Sequence, residues 1–207
     1  MDNKPNKRAT IKVTNNVALE SYSFASKCLE YAEQAKEDND TANMRMFART
    51  SIIYSALSAE ADLIKMIEFT LKKVLSDTEL IDEVKAKREL MYEYLTNFQA
   101  HKESEYNQVR FEIINIQKKY DYLRSINKLG FRELPKEYKE LTLLRNKLIH
   151  YMNTYQPIAY SEELIEKAAW ALHFAGEFIH HIRGISNQDI ATWTYKSKSS
   201  SEGYEYE

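Results

Sequence analysis

Apolar residues recur along most of the chain at the three- and four-residue spacing of an α-helix. This spacing predicts a first helix over residues 18 to 37, which ends in a polar cluster from Lys36 to Asp40. Thr41 can cap a second helix, whose branched apolar residues fall within a narrow arc. The arc contains Ile53, Leu57, Ile64, Ile67, Leu71 and Val74. We expect it to face the core.

Between residues 77 and 127 the helical spacing is looser and more charges interrupt it. We expect two helices here, joined by a turn within the polar run from Gln99 to Tyr106. Gly130 closes this part of the chain. Pro135 then suits the first turn of a helix that runs to about Tyr155.

A last long helix follows, with Ser161 as its cap and Gly184 as its expected end. One arc of this helix carries mostly small side chains, so another helix can approach it closely. The arc contains Ala168, Ala169, Leu172, Ala175, Gly176 and Ile179. The opposite face carries His173, Glu177, His180 and His181, whose spacing suits a metal ion or RNA phosphate but also suits a solvated or interface surface.

The 207 residues include only four Gly and three Pro, too few turn formers for a sandwich, a barrel or a doubly wound sheet. We predict an all-α fold, an antiparallel up-and-down bundle with a four-helix core and extra helices. It forms one domain over residues 18–190, in which 77–127 is a helical elaboration. A polar leader over 1–17 and a tail over 197–207 are expected to be mobile.

The formal net charge of −2 excludes a basic field over the whole molecule, although a local basic cleft remains compatible with it. Cys28, the single cysteine, excludes an intramolecular disulfide and a cysteine zinc cage, and we expect it to be a small buried residue. There is no Gly-rich phosphate loop, apolar signal region or membrane-length apolar stretch. We therefore expect a cytoplasmic protein without cofactor or metal and without a membrane partner.

Arg145 projects into the apolar stripe of the helix that begins at Pro135, between Leu141 and Leu148. An arginine in this position destabilises the fold by several kcal/mol unless a carboxylate pairs with it. Breaking such a buried ion pair costs roughly 3–5 kcal/mol. Glu60 interrupts the apolar arc of the second helix in the same way. We therefore expect Glu60 to pair with Arg145, and one reading is that this pair only fixes the helix register.

Asn146 and His150 are four residues apart, so they share a helix face with Lys139 and Asn153. An arginine can bind a scissile phosphate and stabilise its transition state, and an imidazole can move a proton to or from the ribose oxygens. Asn146 can orient either group. These residue types together supply the parts of RNA cleavage without a metal.

The run from Leu143 to Tyr151, with Arg145, Asn146 and His150, resembles the hallmark of the HEPN superfamily: an Arg, a polar residue, a short spacer and a His on a late helix of a four-to-five-helix bundle. The alanine-rich stretch around Glu60 also looks like the early core helix of these proteins. The resemblance covers the bundle but not residues 77–127.

The resemblance implies a homodimer in which two copies of the motif line one cleft, and an endoribonuclease of toxin–antitoxin, antiviral or stress systems, with an antitoxin as a candidate partner. Arg145, Asn146 and His150 would be catalytic, Glu60 would support Arg145, and the RNA-binding residues would be Lys139, Lys147, Tyr151 and Asn153. Some family members only bind RNA, a nucleotide or a protein, so a non-catalytic module is the first alternative. A structural interaction protein is the second.

Overall fold

The computed structural model of the chain describes residues 16–76, 80–97, 104–149, 161 and 163–194. These residues form seven α-helices and no strand, which confirms the all-α class. The helices are α1 (Val17–Glu37), α2 (Thr41–Leu75), α3 (Asp82–Thr96), α4 (Asn107–Glu112), α5 (Ile116–Ile126), α6 (Lys136–Ile149) and α7 (Leu164–Ile185). The predicted leader up to residue 15, the tail from 197 and the predicted helix end over 150–155 lie outside the described residues.

Helices α1 and α2 form a long antiparallel hairpin. Its connection uses Asn39 in the left-handed conformation (φ 58°), and Asp40 rather than Thr41 caps α2 by accepting from the Asn43 backbone NH at 3.1 Å. Small residues of α2 are buried along this part of the helix, and they are Ala48, Ser51, Ser55, Ala56, Ser58 and Ala59. Such side chains let two backbones approach closely, and Ser58 Oγ donates to the carbonyl of Ala18 at 2.8 Å.

This stripe of small residues corrects the predicted inner face of α2. Ile67 and Leu71 are buried as expected, but Leu57 is 41 % exposed and Ile53 and Ile64 are only half-buried. Periodicity alone favoured the bulky arc because it counts apolar volume and gives little weight to Ala and Ser.

Helix α7 packs against α2, α1 and α6. Its inner face is small as predicted, with Ala168, Ala175 and Gly176 buried, whereas Ala169 is exposed and does not belong to that face. Ser161 accepts a hydrogen bond from the Glu163 NH at 3.1 Å, but the helix begins only at Leu164. At the other end Gly184 remains helical.

The end of α7 lies at Ile185, and Asn187, two residues further on, takes the left-handed conformation (φ 52°). The NH of Gln188 donates to the carbonyl of Arg183 at 2.9 Å, which satisfies a free carbonyl of the last turn. Asparagine tolerates this conformation better than other non-glycine residues. The predicted end at Gly184 is therefore one residue early.

The described residues between 77 and 127 form three α-helices, α3 to α5, where two were expected. The described break between α4 and α5 falls at Ile113–Asn115, and Asn115 caps α5 by accepting from the Lys118 NH at 2.9 Å. Met91, Tyr120 and Leu123 are fully buried, so these helices share the core of the bundle. Helix α5 packs on α2, close to Glu60.

The segment that joins α5 to α6 is fixed against α5 by Gln117. Its side-chain amide donates to the carbonyl of Arg132 at 3.2 Å, and its carbonyl oxygen accepts from the Leu134 NH at 3.0 Å. This anchor sets where α6 begins and therefore how α6 lies against α2. Over the described part of the chain, none of the helices has the length and apolar character needed to cross a membrane.

Candidate functional site

The expected contact between Arg145 and Glu60 is present. Arg145 Nη2 lies 3.5 Å from Glu60 Oε2, and the two side chains are 27 % and 21 % exposed. Helix α6 supplies the guanidinium and α2 supplies the carboxylate. The pair therefore joins two helices through residues that lie 85 positions apart in the chain. The contact meets the physical requirement for a carboxylate near Arg145. Its functional role stays a prediction.

Sequence reasoning missed a third member of this group, Lys119 on α5. Its ammonium group donates to Glu60 Oε1, the carboxylate oxygen that Arg145 does not contact, and only 13 % of its side chain is exposed. The sequence feature that could have identified Lys119 is its position between Ile116 and Leu123, beside the apolar stripe of α5. A lysine there usually reaches outward to water along its own stem, so the pattern alone did not single it out.

Glu60, Lys119 and Arg145 are called the Glu60 cluster below. Glu60 brings one negative charge and the other two side chains bring two positive charges, so the cluster carries an excess positive charge in a partly desolvated place. No described residue accepts a hydrogen bond from Arg145 Nε. That nitrogen is buried, so the donors that could reach a ligand beside the motif are those of the two Nη atoms, of which Nη2 contacts Glu60.

Tyr138 lies next to this cluster on α6. Its ring stacks face to face on Phe178 of α7, with ring centroids 3.7 Å apart and an interplanar angle of 1°. Its hydroxyl is buried, and no described residue forms a hydrogen bond with it. Burial raises the pKa of Tyr138 strongly, the Glu60 carboxylate adds to the rise and Arg145 opposes it. The hydroxyl is therefore a neutral group between the core and the cluster.

The other predicted site residues on α6 are exposed. Lys139, Asn146 and Lys147 all face solvent, as a substrate-binding surface requires. His150, Tyr151 and Asn153 lie outside the described residues, so their placement stays a prediction. The structure brings Arg145 together with Glu60 and adds Lys119. His150, the residue that would move protons, is not among the described residues.

A second buried ion pair, between Asp62 and Arg183, was also missed. Arg183 Nε and Nη2 donate to the two carboxylate oxygens of Asp62 at 2.9 and 2.8 Å, and the Asp62 side chain is fully buried. The Arg183 guanidinium also lies 5.6 Å from the centre of the Trp193 ring. With its donors occupied, this arginine joins α7 to α2 and is poorly placed to bind a substrate.

The histidines of α7 do not form one cluster. His181 shares a hydrogen bond of 2.8 Å with the Tyr120 hydroxyl, while His180 contacts Thr194 Oγ1 at 2.6 Å. His173 and Glu177 are exposed and, with His181, line a cleft of about 730 Å³ beside the start of α6. Among the described residues no group of three or more His, Cys, Asp or Glu side chains could hold a metal ion.

The Glu60 cluster is thus the part of the described structure where a cation with free donors meets the predicted motif. It can bind an anionic group and stabilise charge that develops on it. Comparison of the chain with protein-family models, with curated proteins and with solved structures finds no match.

Proposed function

We propose that the protein is a metal-independent endoribonuclease of the HEPN type. The observation that carries the proposal is the excess positive charge of the Glu60 cluster, which lies beside the exposed Asn146 and Lys147. A phosphodiester is the anion that this motif would meet in RNA. The reaction, cleavage of RNA without a metal, is proposed from the resemblance of the run around Arg145 to the HEPN hallmark.

In this reaction the ribose 2'-hydroxyl attacks the adjacent phosphorus. The O2'–P bond forms, the P–O5' bond breaks, and the products are a 2',3'-cyclic phosphate and a free 5'-hydroxyl. One group accepts the proton of the 2'-hydroxyl and another gives a proton to the leaving oxygen. His150 acts as the acid or the base, and Asn146 orients His150 or the phosphate.

Arg145 binds the phosphate and stabilises the charge of its pentacoordinate transition state. Glu60 holds the guanidinium at the edge of the core, which reduces the number of conformations that Arg145 must lose when RNA binds. Lys139, Lys147, Tyr151 and Asn153 extend the RNA-binding surface. No metal ion or cofactor takes part in this scheme.

Asn146 is exposed to water, and water weakens the electrostatic stabilisation of a charged transition state. A second subunit over this face would close the site and exclude water from it. Three apolar residues near the cluster support association with a second copy, since Leu57, Leu143 and Ile149 are 41 %, 54 % and 44 % exposed. A role as a toxin or a defence component, with an antitoxin as partner, completes the proposal.

The test is cleavage of single-stranded RNA by the purified protein in excess chelator. We expect products that end in 2',3'-cyclic phosphate, and we expect His150→Ala to abolish cleavage while leaving the melting temperature close to that of the wild type. His173→Ala on the exposed face of α7 is the matched control and should cut normally. Equal cleavage by His150→Ala, or cleavage that stops in chelator, would contradict the assignment.

The non-catalytic alternative gives a different result in the same experiment. The protein would bind RNA in a salt-dependent manner, Arg145→Ala would weaken that binding, and no cleaved product would form. For a purely structural role of the Glu60 cluster, neither binding nor cleavage would be detected.

A further inference from the structure

We propose that Lys119 is a second phosphate-binding residue of this site, placed by Glu60 beside Arg145 and contributed by the helices between residues 77 and 127. The inference rests on the proposed function, because it names a further residue for the same RNA substrate. It assigns a role to α5, a helix that the motif on α6 does not include.

The first argument is charge. One carboxylate satisfies the electrostatic requirement of Arg145, and a purely structural pair needs no second cation. Lys119 nevertheless brings a second positive charge to the same carboxylate, with 13 % of its side chain exposed. Removing this ammonium group from water costs free energy that a single shared carboxylate offsets only in part. An anion bound to both cations would compensate the remaining charge.

The second argument is geometry. Lys119 and Arg145 contact the two oxygens of one carboxylate group, so one cation lies at each oxygen of Glu60. A phosphodiester presents two non-bridging oxygens in a similar arrangement. Glu60 therefore holds the two cations where one phosphate, or two neighbouring phosphates, can contact both.

The third argument is the number of donors. An ammonium group has three N–H donors and a guanidinium has five. Glu60 is the described acceptor for Lys119 Nζ and Arg145 Nη2, and Arg145 Nε is buried, so the donors left for a ligand are on Lys119 Nζ and the two Nη atoms of Arg145. Each cation can therefore contact Glu60 and still donate to a phosphate oxygen.

The experiment measures binding of an RNA oligonucleotide in which every ribose is 2'-O-methylated, so that attack by a 2'-hydroxyl cannot occur. The dissociation constant is measured for the wild type, Lys119→Met and Lys119→Arg across a range of salt concentrations. Loss of one phosphate contact should weaken binding about tenfold at low salt. It should also reduce the slope of log K against log salt by about 0.7, the value for one contact on a single strand.

Lys119→Arg keeps the charge and should keep most of the affinity and the slope. Lys65→Met is the matched control, because Lys65 is exposed on α2 and should leave both quantities unchanged. If Lys119→Met does not fold, Glu60→Gln combined with Lys119→Met removes both charges of that pair and is measured in the same way. Wild-type affinity and slope in the folded variant would overturn the inference.

Failure of this inference differs from failure of the proposed function. If the wild type cuts unmodified RNA but Lys119→Met binds the methylated RNA as the wild type does, the inference is wrong and the nuclease stands. If binding depends on Lys119 and unmodified RNA stays intact, the inference stands and the nuclease is wrong. A wild-type protein that binds no RNA at any salt concentration contradicts both.

Discussion

Tyr138 carries a hydroxyl group into the core two helical turns before Arg145. The stacked ring of Phe178 and the close packing around it account for the position of the aromatic part. The hydroxyl has no hydrogen-bond partner among the described residues, and a buried hydroxyl without one costs about 1–3 kcal/mol. At this position the apolar requirement of the core and the polar character of the residue conflict.

We therefore expect Tyr138→Phe to raise the free energy of unfolding by about 1 kcal/mol, because it removes the unsatisfied hydroxyl and keeps the stacked ring. Urea denaturation measures the change. Tyr120→Phe is the matched control, since that hydroxyl shares a hydrogen bond with His181, and its loss should lower the free energy by about 1 kcal/mol. A loss of stability in Tyr138→Phe would mean that its hydroxyl has a partner, such as a bound water.

At the scale of elements, α7 contains two glycines in different surroundings. A β-carbon added at Gly176 would lie 3.1 Å from the Tyr22 hydroxyl oxygen, whereas one added at Gly184 would meet nothing within 4 Å. The Tyr22 hydroxyl is buried and lies within hydrogen-bond range of the carbonyls of Leu172 and Thr194, at 3.3 Å from each. It has little room to move away.

The two glycines should respond to alanine with opposite signs. Gly184→Ala should raise the free energy of unfolding by about 0.5 kcal/mol through helix propensity alone. Gly176→Ala gains the same propensity but crowds Tyr22, and we expect a net loss of about 1 kcal/mol. Thermal unfolding of both variants under one set of conditions measures the difference. Stabilisation by both would show that α1 and α7 can separate slightly at no cost.

The region from 77 to 127 also contributes α5 to the core and to the Glu60 cluster. Its charges and loose periodicity predicted a helical elaboration of the bundle, and in the structure Tyr120 is fully buried and Lys119 contacts Glu60. Helix α5 is short, and beside its apolar stripe lies Lys119, whose partner Glu60 is on α2. A pattern within one helix cannot indicate that such a charge has a partner elsewhere.

For the molecule as a whole, the buried contacts of His181 couple stability to pH. Burial lowers the pKa of His181, and the positive charges of Arg132 and Arg124 lower it further. In the unfolded chain the imidazole has its ordinary pKa of about 6.5. As the pH falls below that value the unfolded state binds the proton first, so stability is lost as the pH falls through the pKa of the folded state.

The free energy of unfolding should therefore decrease between about pH 7 and pH 5 in the wild type, and the decrease should be smaller in His181→Gln. Denaturant titrations at several pH values measure both curves. Between about pH 7 and pH 8 the two curves should run parallel, since the imidazole is neutral there in both states. Parallel curves down to pH 5 would contradict the prediction.

The sequence by itself determined the class of fold and part of the site. Scarce Gly and Pro and the spacing of apolar residues predicted the helices, since both signals depend on neighbours within a few residues. The Glu60–Arg145 contact was also predictable, because each charge interrupts an apolar stripe and each needs a partner.

The tertiary structure alone decided which arc of α2 faces inward and which further charges meet. Small residues of α2 are buried while Leu57 is exposed, and Asp62 gained a buried partner in Arg183, which lies 121 residues further along the chain. Lys119 joined Glu60 for the same reason. Such pairings depend on the packing of distant helices, and local spacing records how one helix turns but not which neighbour it meets.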